Sequence, residues 1–268
     1  MQREPQSVAI TGAGAGIGRA LAIESGRRGM RVALIGRREE TLIATAGLIT
    51  SPHEPLIVRA DITHSEDRMG IVAQIQRSWG VLHILVNNAG VVTGGPVETL
   101  ADEVIDMGIQ TNVVAPMKLT RDLIPLLIES GAARIVNIGS VFGDIAYPGF
   151  ALYCASKFAI RGFSDALRRE LRHTGVRVTY CAPRATLTDA ASAFDALIAR
   201  TNMTLDAPAA VASHIWNGVA AGRDRIYPPG RERLFVLIEK LFPGVISRAL
   251  ASQLGRTTPS STMKDIRL

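Results

Sequence analysis

Val8-Ala-Ile-Thr-Gly-Ala-Gly-Ala-Gly-Ile-Gly18 runs without a break into Arg19-Ala-Leu-Ala-Ile23. An apolar β-branched run, a glycine-rich turn and a helical pattern, in that order, predict a strand over Val8 to Ile10 and a turn that opens a helix. Glycines at 12, 16 and 18 allow a tight turn and close approach to the backbone, and the unpaired N–H groups of the helix start favour an anion such as a pyrophosphate. The spacing is not G-x-G-x-x-G, because Ile17 stands where the last glycine of that pattern would fall. A close helix–strand contact would need the same glycines, so the turn alone leaves both readings open.

Outward from this unit the same alternation repeats. Short apolar runs at Arg31 to Ile35, Leu56 to Val58, Leu82 to Val86, Arg134 to Ile138 and Val176 to Tyr180 are separated by helical patterns. Strands that are apolar on both faces imply a parallel sheet covered by helices on both sides, and right-handed crossovers then give a doubly wound α/β fold. A length of 268 residues suits one such domain. Ligands of such folds bind beyond the carboxyl ends of the strands, which is where the chemically informative residues of this chain fall.

After the second strand the chain reads Gly36-Arg37-Arg38, where an enzyme using NAD would carry an acidic side chain against the ribose hydroxyls. An arginine suits a 2′-phosphate and so favours NADP(H), with Arg37 the stronger candidate; two solvated arginines at a helix start are the competing reading. Asp61-Ile62 follows the third strand and Asn87-Asn88-Ala89-Gly90 the fourth. Each alone would pass for an ordinary turn.

Ser140 ends the fifth strand, and thirteen positions later comes Tyr153-Cys-Ala-Ser-Lys157. On a helix Tyr153 and Lys157 lie one turn apart on a single face. A free phenol titrates near 10, so a tyrosine exchanging protons near neutrality benefits from a neighbouring cation. By itself Y-x-x-x-K would more often be a surface pair; its position after four cofactor-like elements in order gives it weight.

Taken together, T-G-x-x-x-G-x-G from Thr11 to Gly18, Asn87 to Gly90, Ser140 and Tyr153-x-x-x-Lys157 resemble the short-chain dehydrogenase/reductase family, specifically from about Ser7 to Cys181 and loosely beyond. The resemblance implies a Rossmann fold with a catalytic tetrad of Asn112, Ser140, Tyr153 and Lys157. Tyr153 would give its proton to the carbonyl oxygen as hydride arrives, Ser140 would hold that oxygen, and Asn112 would join Lys157 through a water in a proton relay. It implies cofactor contacts from Gly12, Gly16, Ile17, Gly18, Arg37 and Arg38, from Asp61 and Ile62 beside the adenine, from the Asn88-Ala89-Gly90 backbone, and from Tyr153, Lys157 and Thr188. A dimer or tetramer is also implied. One departure stands out: after the sixth strand the family's Pro-Gly is Pro183-Arg184 here, which puts the backbone near Thr186 and Thr188 in doubt. Arg184 would read an anionic substrate group or lie on a mobile surface loop.

Two other functions compete. A dinucleotide sensor or scaffold that lost its chemistry should have a broken tetrad, and this one is complete. Epimerases and dehydratases with the same Tyr–Lys pair usually bring a larger carboxy-terminal substrate domain.

A net charge of +6 attracts anions without choosing among them, and the absence of basic stretches interleaved with aromatics or of zinc-finger spacing argues against nucleic acid. Cys154 and Cys181 have no metal or redox partner nearby in sequence, and a reduced cytoplasmic setting is expected. With a strand beginning by Ser7 and no apolar run near the ~20 residues of a membrane span, the chain is expected to be soluble or peripheral. We divide it into a body over residues 1–230 and an extension over 231–268. In the extension Leu234-Phe235, Leu237-Ile238, Leu241-Phe242, Val245-Ile246 and Leu250 recur at nearly helical spacing around Pro243-Gly244, with Arg231, Arg233, Lys240 and Arg248 among them. Such a stretch would close over a lipophilic substrate, lie on a membrane, or pack against the body or a neighbouring subunit.

Overall fold

Each predicted strand forms in the computed structural model, which describes residues 5–188 and 205–254. The strands are β1 (Ser7–Thr11), β2 (Arg31–Gly36), β3 (Leu56–Arg59), β4 (Ile84–Asn87), β5 (Arg134–Ile138), β6 (Arg177–Cys181) and β7 (Arg225–Ile226). They make one parallel sheet in the order β3-β2-β1-β4-β5-β6-β7. The two-residue β7 has no sequence signal because it is too short to show a period; it forms where Tyr180 and Cys181 pair with Arg225 and Ile226. β4 begins later than predicted because the N–H of Leu82 goes to the carbonyl of Leu126, not to a neighbouring strand.

The helices are α1 (Gly16–Arg27), α2 (Glu39–Ala46), α3 (Ser65–Trp79), α4 (Asp102–Ile109), α5 (Ala115–Glu129), α6 (Ala151–Glu170), α7 (Pro208–Ala220), α8 (Glu232–Leu241) and α9 (Pro243–Leu254). Apolar residues on successive strand positions point to opposite faces, which is why continuous runs were needed. Ala9, Ile35, Leu85 and Ile135 face Ile71 and Ile75 of α3 and Leu119 and Leu123 of α5. Val8, Ile10, Leu34 and Val136 face Leu21 of α1 and Ile215 and Trp216 of α7. Buried Trp216 satisfies its indole N–H on the carbonyl of Leu21, 3.1 Å away.

Strand order reverses between β1 and β4, since β2 and β3 lie to one side of β1 and the later strands to the other. That reversal opens a crevice at the strand carboxyl ends. The chain beyond Gly230 forms α8 and α9, broken at Phe242, with Pro243 starting α9, where its missing N–H is harmless. Residues 255–268 of the predicted extension lie outside the described residues. Among the described residues no helix is long and apolar enough to cross a membrane.

Candidate active site

The glycine turn is left-handed at Gly12 and Gly16, with φ of 67° and 53°. At Gly18 a Cβ would run into the carbonyl oxygen of Gly12 and the side chain of Asn88. Two strand ends are bound together here. Thr11 Oγ1 accepts the N–H groups of Asn88 and Ala89 at 2.9 and 3.0 Å, and Asn88 Nδ2 donates to the Thr11 carbonyl at 2.9 Å. The turn after β1 and the Asn88-Ala89-Gly90 segment after β4 are therefore one construction. Ala15 precedes α1 without a side-chain cap, which leaves the helix's first N–H groups for another acceptor. Arg19, which the sequence did not single out, braces the turn by donating to the Gly14 carbonyl and to Thr45 Oγ1.

A cavity of about 220 Å³ joins this turn to Arg37, Arg38, Asp61 and Ile62, and is also lined by Thr41 and Thr111, neither of which carried a sequence signal. Arg37 is 72% exposed and stands 3.9 Å from the Asp61 carboxylate. Burial pushes the Asp61 carboxyl up, but hydrogen bonds from Thr63, with the charges of Arg37 and His64, leave it below the usual range. A second cavity, of about 260 Å³, shares Gly12, Ala15, Ala89, Gly90 and Val91 with the first and continues to Ser140, Tyr153, Lys157, Arg184 and Thr188. The two form one cleft across the strand ends.

Asn112 sits on a wide π-helical turn, Gln110–Val114, between α4 and α5. Such turns often mark functional positions. Its side chain exchanges hydrogen bonds with Val91, accepting from the N–H and donating to the carbonyl, both at 2.8 Å, and Nδ2 also reaches Ser156 Oγ at 3.1 Å. Lys157 lies 5.5 Å from the centre of the Tyr153 ring and donates to the Ile138 carbonyl at 3.1 Å. Asn112 Oδ1 and Lys157 Nζ both face the α-carbon of Gly90. Ser140 and Tyr153 are hydrogen-bonded through their side chains, and Ser140 Oγ also accepts the N–H of Phe142 at 3.1 Å. Ser140, Tyr153 and Lys157 thus line one end of the cleft, and Asn112 lies behind it, against Gly90 and Val91.

Their electrostatics differ from the simple sequence expectation of a phenol lowered by a cation. Burial pushes Tyr153 up to about 12, although the Ser140 hydrogen bond opposes it, and burial brings Lys157 down to about 8. Desolvation disfavours the charged form of each group. The tyrosine is therefore held as an acid.

Tyr180, on β6 and also missed from sequence, sits beneath Ser140 and donates its hydroxyl to the Ser140 carbonyl at 3.0 Å. Gly139 and Gly143 leave room for its ring and hydroxyl. Asp144, fully buried, accepts from Arg161 at 2.6 Å and from the Tyr227 hydroxyl at 3.1 and 3.2 Å. Around Tyr153, Phe142 stacks on Tyr147 at 5.4 Å and Phe150 joins them.

Arg184 lines the cleft and is held there by two acids, so it does not stand on a loose surface loop. Its guanidinium makes a two-point contact with Asp206, at 2.7 and 2.9 Å, and a third bond to Glu232 at 2.6 Å. Those hydrogen bonds hold its pKa above the ordinary arginine value. Backbone bonds from Leu187 to Asp206 and from Asp206 to Ala185 complete the tie, so the segment after β6 is fixed to the start of α8. Thr188 lies against the turn at Gly16. Among the described residues no group of three or more His, Cys, Asp or Glu side chains is placed to hold a metal.

Comparison with known proteins agrees with this geometry. A family described as short chain dehydrogenase matches residues 6–197. Estradiol 17-beta-dehydrogenase 11 of Rattus norvegicus is 32% identical over 88% of this chain and 79% of its own length. A short-chain dehydrogenase from Sphingobium yanoikuyae, solved in complex with NADPH, superposes with a TM-score of 0.77 at 26% identity, covering 98% of this chain and all of that one. A short-chain dehydrogenase/reductase from Burkholderia phymatum, solved in complex with NAD, shares the fold with a TM-score of 0.83 at 23% identity, over 98% and 99% of the two chains.

Proposed function

Because this chain belongs to the short-chain dehydrogenase/reductase family, and is thus an oxidoreductase working with a nicotinamide dinucleotide, we propose that it interconverts lipophilic carbonyls and secondary alcohols with NADP(H), using Tyr153 as proton donor and acceptor. The observation that carries this reading is the meeting of Ser140, Tyr153 and Lys157 at one end of a cleft whose other end holds Arg37 and Arg38. The turn fits a dinucleotide: glycine at 12, 16 and 18 lets the backbone close against Asn88, Ala89 and Thr188 with no side chain between, and α1 begins without a side-chain cap, so its first N–H groups are left for a pyrophosphate. Arg37 and Arg38 would meet the 2′-phosphate, Asp61 and Ile62 the adenine, and Thr188 the nicotinamide end. When bound, the cofactor supplies or accepts the hydride.

In reduction, Ser140 holds the substrate oxygen and Tyr153 donates to it as negative charge grows there. The phenolate left behind is buried, and the Lys157 ammonium is the nearby cation that offsets it. Asn112 fixes the Val91 backbone and Ser156, beside Gly90 and Lys157. The steroid in one relative's name supports a lipophilic substrate. We place the catalytic body in residues 1–230, expect a dimer or tetramer by sedimentation, and expect a cytoplasmic setting, in keeping with two unpaired, buried cysteines.

Cofactor choice is tested by titration. Wild-type protein should bind NADPH about tenfold or more tighter than NADH, by a margin that shrinks with salt and on replacing Arg37 and Arg38 with Ala. Equal affinities would remove the NADP assignment. The reduction rate should be level below pH about 8 and fall as pH rises through that value, because Lys157 then loses the charge that offsets the phenolate. A profile that stays level from about pH 6 to about pH 10 would contradict this role for Lys157.

A further inference from the structure

α8 buries the opposite face from the one its sequence would suggest. With about 100° of rotation per residue, Glu232, Val236 and Glu239 share one face, and Leu234, Leu237, Ile238 and Leu241 share the other. The first face packs: Val236 is 4% exposed and Glu232 is held by Arg184. The second lies in solvent, with Leu237 51% and Leu241 62% exposed, and Phe242 and Val245 extend it into α9. Neither cavity of the cleft counts a residue of α8 or α9 in its lining. Leaving this much contiguous apolar surface in water is costly, and such patches mark docking surfaces.

The rim of the stripe identifies what docks. Arg233 and Lys240 border it on one side and Arg231 on the other, with Arg248 further along α9, all of them exposed. The two acids of α8 lie on the packed face, away from the rim. We propose that α8 and the start of α9 lie flat on an anionic lipid surface, leucines and Phe242 entering the headgroup boundary while the basic rim meets the lipid phosphates. A second copy docking on the same face would oppose one cationic rim to another; anionic headgroups neutralise it. The net charge of +6 acts in the same direction.

The test is co-sedimentation of the full-length protein with vesicles of phosphatidylglycerol and phosphatidylcholine in equal parts, against phosphatidylcholine alone. Binding to the first and little to the second is expected, weakening with salt. Leu237→Glu with Leu241→Glu should weaken it about tenfold or more, and Arg233→Gln with Lys240→Gln about tenfold on the anionic vesicles only. Both pairs are exposed, so melting temperature and turnover of a small water-soluble carbonyl should stay at wild-type values. No sedimentation with anionic vesicles, or equal sedimentation of the Leu237→Glu/Leu241→Glu variant, would overturn the proposal. So would a change from oligomer to monomer in that variant without vesicles, which would give the face to a second copy.

Discussion

Tyr153→Phe is expected to lower turnover about 10²- to 10⁴-fold while leaving the fold and cofactor affinity near wild type. The substitution removes one hydroxyl and keeps the ring in place beside Lys157 and Phe142. On the reading proposed above that hydroxyl is the acid at the end of the cleft; burial keeps it protonated, and its side-chain partner is Ser140. Steady-state assay of the purified variant, with cofactor titration beside it, makes the measurement. A variant that kept most of its turnover would show that another group carries the proton. A variant that lost cofactor binding as well would show that the hydroxyl has a structural task.

The second large effect is on stability. Asp144→Ala should destabilise the protein by about 3 kcal/mol, because it removes the acid of a buried ion pair and leaves Arg161 without its partner. The Tyr227 hydroxyl loses its acceptor at the same time. For a domain of this size each kcal/mol shifts the melting temperature by roughly 2–4 °C. Calorimetry of the variant should therefore find a fall of roughly 6–12 °C. A shift within about a degree would mean that Arg161 finds another partner at little cost. Asp144 and Arg161 also flank the support of Ser140, so a loss of activity larger than the loss of folded protein would connect this pair to the site.

Local signals made the frame readable. The turn from Thr11 to Gly18, the apolar runs and the Tyr153–Lys157 interval each depend on residues a few positions apart, and sequence displays such relations directly. What stayed hidden depends on distance along the chain. Arg184 finds Asp206 and Glu232, and Asp144 finds Arg161 and Tyr227, only once β6, α6 and α8 are in place. Tyr180 looks like one more apolar strand residue until Gly139 and Gly143 make room beneath Ser140. The apolar spacing of residues 234–250 was visible, but which face of α8 would be buried was not, because Arg184 and Glu232 decide it.

The wide turn over Gln110–Val114 has a consequence for how this chain tolerates change in length. An α-helix fixes angular phase at about 100° per residue, and the π turn holds one residue more than an α turn would. It takes up that residue and leaves the helix beyond it near its phase. α4 keeps Gly108 against Leu152 of α6, while α5 keeps Leu119, Leu123 and Leu127 in the core beneath the sheet. Deleting a single residue from the turn would close it to an α turn and leave α5 near its present phase, with Leu119, Leu123 and Leu127 still in the core, while Asn112 would lose its place on Val91. A change of length here therefore falls on Asn112 and the Val91 backbone it holds, and spares the core.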